Sequence, residues 1–155
     1  MIHSVELFHD YLRDGRIKLK EKIKVPTTVQ DPCNVIRNGG LAEKNRRLAE
    51  MVSEDFRPMR LQGNYNYCCA GGGGAIPMGG EMKKHRMAAG KVKAEQIRAT
   101  GAKLVLVPCH NCIDQIRDLI KEYKIDAKAV HFKEVIAERM VVPEEMIPKE
   151  KAAEE

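Results

Sequence analysis

At 155 residues the chain has the size of one ordinary domain, which buries roughly two-thirds of its unfolded surface, so it needs no disulfide staples. Its net charge of +5 is spread along helical patterns with no aromatic-studded strand beside it, which argues against a nucleic-acid partner. No secretory signal opens the sequence and no apolar run approaches the roughly 18 residues of a membrane span, so a cytoplasmic setting with reduced thiols is expected.

Ser4 begins a helical pattern with Val5, Phe8 and Leu12 on one face, and Gly15 suits its stop. The β-branched run Val25-Pro26-Thr27-Thr28-Val29 predicts a strand, followed by a turn at Pro32 and Cys33. A helix is expected over 41–52, with Leu41, Leu48, Met51 and Val52 facing inward. Residues 57–61 form a second strand candidate, weakened by Pro58. A long loop over 62–80 then holds Cys68, Cys69 and the glycine run 71–74, and loops of this length inside compact domains are usually functional.

Residues 81–100 read as a long helix ended by Gly101. The unbroken apolar run at 104–107 is what a central parallel strand requires. Cys109-His110-Asn111-Cys112 comes next, leading into a helix with Ile113, Ile116, Leu119, Ile120 and Tyr123 on one stripe. Residues 127–131 are a fourth strand candidate, followed by a helix carrying Phe132, Val135, Ile136 and Met140. From 143 the chain turns charged and Ala-rich, so the domain is taken as 1–142 and 143–155 as a frayed tail.

This alternation predicts an α/β fold with a single open, mostly parallel sheet of about four strands flanked by helices. Ligands of such sheets sit outside the carboxyl ends of the strands. Cys33, the pair Cys68–Cys69 and Cys109 each follow a strand candidate, so the cysteine turns are expected to converge on one rim.

Thiolates are soft ligands that select iron–sulfur clusters, zinc or Cu(I). Alone, the C-x-x-C of Cys109 and Cys112 could ligate zinc, ligate a cluster, or cycle as a dithiol. The adjacent Cys68 and Cys69 make a strained chelate for one ion but can bind two irons of a cluster. Five thiolates also exceed the four that tetrahedral zinc or a simple cubane accepts, which favours a cluster with a spare or bridging thiolate. Zinc stays open if one Cys is left out. A metal-free dithiol switch and simple burial of the thiols stay open as well. The glycines at 71–74 match neither the dinucleotide fingerprint nor a P-loop, so they read as packing around a cluster. His110 is expected to face solvent, and His131 to be an edge histidine with its partner made. Met78 and Met82 are expected to pack. Arg37, Lys83, Lys84 and Arg86 divide between solvated helix positions and a basic surface for an acidic substrate or partner.

The pattern Cys33…Cys68-Cys69…Cys109-x-x-Cys112 resembles the cysteine-rich CCG domain of the heterodisulfide reductase family. Asp31-Pro32-Cys33-Asn34 resembles that family's strand-end segment, and the run at 71–74 its glycines after the paired cysteines. Within the family, the stretch 64–73 is most similar to the K subunits of membrane complexes linked to dissimilatory sulfite reductase, and to their Hmc and Tmc relatives. The resemblance covers about 25–142. It implies a noncubane [4Fe-4S] cluster held by Cys33, Cys68, Cys69, Cys109 and Cys112, at which a disulfide is cleaved or formed. That disulfide would belong to a small thiol or a carrier protein. Ala70 stands where the family's glycine usually lies. The chain has neither a ferredoxin-type cysteine segment nor a second cysteine-rich copy, so electrons are expected from an iron–sulfur or membrane subunit. That would place it in the cytoplasm, peripheral to the membrane through partners. The non-catalytic alternative is a zinc- or cluster-binding docking module of a larger redox complex.

Overall fold

A computed structural model describes residues 2–143. The first helix, α1 (Ser4–Arg13), starts at His3, whose ring accepts the Val5 N–H while Glu6 reaches back to the His3 N–H. Strand β1 (Thr27–Val29) is followed by a five-residue π-helical turn (Asn34–Asn38) and by α2 (Ala42–Val52). After a 3-10 turn (Gly63–Tyr65) and the glycine-rich loop comes α3 (Gly80–Thr100), closed by Gly101. Strand β2 (Leu104–Val107), α4 (His110–Glu122), β3 (Lys128–His131) and α5 (Phe132–Arg139) complete the order.

The three strands form one open parallel sheet in the order β1-β2-β3, with Val29 opposite Leu106 and Val107 opposite His131. The sheet therefore has three strands rather than about four. The missing one is the candidate at 57–61; the residue just before it, Phe56, makes one parallel bridge to Thr27 of β1. The N–H of Thr27 donates to Asp55 and that of Arg57 to Thr27, after which the pairing ends. Helices begin near the expected positions, and the turn expected at Pro32 and Cys33 leads into the π-helical one. The tail expected from 143 lies, beyond Pro143, outside the described residues.

Side chains of the central strand alternate between two cores, as a pleated strand dictates. Leu106 packs with Val29 beneath α1, α2 and α5, alongside Val5, Leu48 and Phe132. Val105 and Val107 face the other way, toward Ile97 of α3 and Ile113 and Ile116 of α4. A sheet covered on both faces explains the continuous apolar run of β2. Cys69 and Cys112 belong to the second core, so part of the cysteine constellation is built into the packing of α3 and α4.

Candidate metal centre

Two of the cysteine turns extend directly from strand ends. Cys33 stands four residues past Val29, and Cys109 two residues past Val107. Cys109 is the residue before the first turn of α4, with extended backbone at φ −118° and ψ 132°. Cys112 falls on that first turn and is buried.

The pair at 68–69 arrives on the loop, and that loop is tied down from below. Asp31, buried at the end of β1, accepts from Asn45 Nδ2 at 2.8 Å, Arg46 Nη2 at 3.2 Å and the Gly63 N–H at 2.7 Å. Arg37 donates to the backbone oxygens of Asn64, at 2.9 Å, and Asn66. Its guanidinium holds the approach to Cys68, a role the sequence pattern does not announce.

Four sulfurs form a chain. Cys69 Sγ lies 3.2 Å from Cys112 Sγ, and the Cys68 and Cys109 thiols flank that pair closely enough to share in its protons. Hydrogen bonds from Cys112 and Cys68 hold the Cys69 thiol down to about 3 against the opposing effect of burial. Cys109 is lowered to about 6, first by Cys112 and then by the N–H groups of Cys112 and Asn111 at the start of α4. Cys112, lying between Cys109 and Cys69, keeps its proton far above the usual thiol range, and donation to Cys69 together with burial raises Cys68 as well. Cys33, partly exposed, stands outside the chain, on the side of Cys68.

The backbone adds donors at the same place. The Ala70 N–H points to Cys68 Sγ at 3.3 Å and the Gly71 N–H to Cys69 Sγ at 3.5 Å. Crowding explains only the first of the four glycines. A Cβ on Gly71 would lie 2.6 Å from Gln115 Cβ and 3.0 Å from the Asn111 oxygen, whereas Gly72, Gly73 and Gly74 face open space. Ala70 sits at φ +69°, a left-handed conformation that favours glycine.

His110 is exposed as expected, and its ring stacks on His131 with centroids 6.1 Å apart. His131 Nδ1 meets the Val107 oxygen at 2.8 Å, but among the described residues its buried Nε2 has no hydrogen-bond partner, so it is only half satisfied. Burial lowers its basicity. Two expectations fail. Met78 is 66% exposed rather than packed, and Arg86 is 7% exposed, paired with Gln115 and Asp118 rather than solvated. Lys83 and Lys84 are exposed. Sequence reasoning missed Lys93 altogether, although α3 buries it to 1% exposure.

The donor set suits a thiophilic metal: two thiols are held as thiolates, backbone N–H groups face the sulfurs, and a fifth cysteine stands nearby. Among the described residues no three His, Cys, Asp or Glu side chains already surround a single ion. The 3.2 Å between Cys69 and Cys112 is shorter than the ~3.8 Å edge of a tetrahedron with 2.3 Å Zn–S bonds. Binding thus requires side-chain reorientation, for which exposed Cys68 and partly exposed Cys33 have the most freedom.

One subunit of the dihydromethanophenazine:CoB–CoM heterodisulfide reductase of Methanosarcina mazei is 23% identical over 141 residues. The match takes in 90% of this chain and 34% of that protein, so the chain spans about a third of the relative's length. The profile of the CCG family, described as a cysteine-rich domain, matches residues 27–117, which include all five cysteines. With more than half its length inside that match, the chain belongs to the CCG cysteine-rich domain family.

Proposed function

We propose that the chain is the cysteine-rich module of a thiol–disulfide oxidoreductase of heterodisulfide reductase type. In this reading Cys33, Cys68, Cys69, Cys109 and Cys112 hold a noncubane [4Fe-4S] cluster. The observation that carries it is the sulfur chain Cys68–Cys69–Cys112–Cys109 at the carboxyl edge of a parallel sheet, with Cys33 on the side of Cys68. When bound, the cluster supplies one-electron chemistry. Reducing one disulfide to two thiols takes two electrons and two protons, and the electrons come from an iron–sulfur or membrane subunit. The named relative is itself a subunit and much longer than this chain, which supports a partner-dependent role. The stretch 64–73 supports a place beside the K subunits of the sulfite reductase-linked membrane complexes.

The protein's own residues prepare that chemistry. The N–H groups of Ala70, Gly71, Asn111 and Cys112 face thiolate charge, and Asp31 and Arg37 fix the loop that delivers Cys68. Cys68, exposed, is the thiol a substrate disulfide reaches first. No described helix is long and apolar enough to cross a membrane, so contact with a membrane complex would run through partner chains.

A second reading is a non-catalytic docking module holding zinc or a cluster. Tyr65, at 80% exposure, together with exposed Leu61, Tyr67 and Met78 around the cysteine loop, gives a partner an apolar surface to cover. The two readings separate in one experiment. Anaerobically reconstituted protein should give an EPR signal that changes when a small thiol is added. A cluster signal indifferent to thiols favours the docking role.

A further inference from the structure

The buried stripe of α3 includes Met87, Gly90, Ala94 and Ile97, and two basic residues that do not belong there by type, Arg86 and Lys93. Arg86 is accounted for: it pairs with Asp118 at 2.6 Å and with Gln115. Lys93 is not. Its side chain is 1% exposed, and the hydrogen-bond partner of its Nζ is the Met59 thioether at 3.7 Å, a weak acceptor. A buried ammonium is costly unless an opposite charge faces it.

The charges acting on Lys93 are those of Asp31, Cys69, Cys112 and Cys68. Asp31, the largest of these, is also engaged by Arg46, Asn45 and the Gly63 N–H, which share its charge. The thiols come next. Met59 shares one apolar core with Cys69 and Cys112, so the Lys93 ammonium, in contact with Met59, ends in the core that also holds those sulfurs.

We infer that Lys93 is the built-in counter-ion of the cysteine centre, a positioning residue whose buried ammonium offsets the negative charge of the Cys69 thiolate and of the cluster the cysteines would hold. The inference rests on the cluster reading. Reduction adds one negative charge to such a centre, and a fixed positive charge beneath it favours the reduced form. Burial lowers the ammonium to about 8, while Asp31 and then Cys69 oppose that loss.

The test is a redox titration of the iron-loaded full chain with dithionite as electron donor, followed by EPR. Lys93→Met, which keeps length and removes charge, should make reduction about tenfold less favourable, a fall of about 59 mV for a one-electron couple. Iron content and g-values should stay unchanged. Lys93→Arg should restore the wild-type potential. Lys93→Gln is a second neutral variant and should reproduce the fall. Wild type that binds no iron would end the cluster reading and this inference with it. Wild type with iron, but neutral variants at the wild-type potential, would overturn the role of Lys93 alone. Failure of both neutral variants to fold would also overturn it, by assigning the ammonium to the fold itself.

Discussion

Cys69 Sγ and Cys112 Sγ meet at 3.2 Å across the junction between the cysteine loop and the first turn of α4. That contact distributes protons unequally along four thiols, with Cys69 and Cys109 as thiolates and Cys112 protonated between them. Unequal thiols are what a redox or metal centre needs, because the thiolate is both nucleophile and ligand.

In metal-free protein, alkylation of Cys109 by iodoacetamide, mapped by mass spectrometry, should rise through about pH 6. Cys112→Ala should move that midpoint up toward the ordinary thiol value of ~8.5. The folded value lies below the unfolded one, so Cys109 stabilises the fold above the unfolded value and loses this as pH falls through about 6. The stability difference between wild type and Cys109→Ala should accordingly shrink between those pH values. A Cys109 midpoint at the ordinary thiol value would contradict the account.

Cys33 stands outside the sulfur chain and is partly exposed. Cys33→Ala should therefore leave the metal-free fold within about 0.5 kcal/mol of wild type in urea. It should nonetheless lower iron content after reconstitution. Retention of full iron and an unaltered spectrum would remove Cys33 from the ligand set.

Gly71 and Gly72 make a matched pair. Gly71→Ala drives a Cβ to within 2.6 Å of Gln115 Cβ and should cost about 1–3 kcal/mol while loosening the cysteine loop. Gly72→Ala meets open space and should change stability by less than about 0.5 kcal/mol. Urea midpoints measure both, and equal effects would refute the close approach of loop and helix.

Ala70→Gly relieves a left-handed alanine at φ +69°, a strain of roughly 1–2 kcal/mol. It also gives the unfolded chain more freedom, which takes back about 0.4–1 kcal/mol. The balance predicts a small gain in the urea midpoint. A clear loss would mean that the alanine methyl makes a packing contact worth more than the strain.

Much of this is legible in the sequence because strand β2 is apolar throughout and Cys33 and Cys109 follow strand ends. The parallel sheet follows from that pattern, whereas the 68–69 pair meets the 109–112 turn from a loop and not from the strand end expected for it. The candidate strand at 57–61 fails because the one bridge to β1 is made by Phe56, just before it, a limit no local propensity encodes. Met78 reads by type as a packing residue, yet it lies in an open turn. Arg86 and Lys93 read by type as ordinary charges. Their spacing from Gly90 and Ile97, on the same face of α3, is the one signal that places them inward. What that interior position is for depends on sulfurs contributed by other segments, and no reading of α3 alone supplies them.

The most direct measurement of the central claim is the iron, zinc and acid-labile sulfide content of the chain purified without oxygen. The account predicts about four irons and four sulfides per chain, from the [4Fe-4S] assignment. One equivalent of zinc with no iron would contradict it.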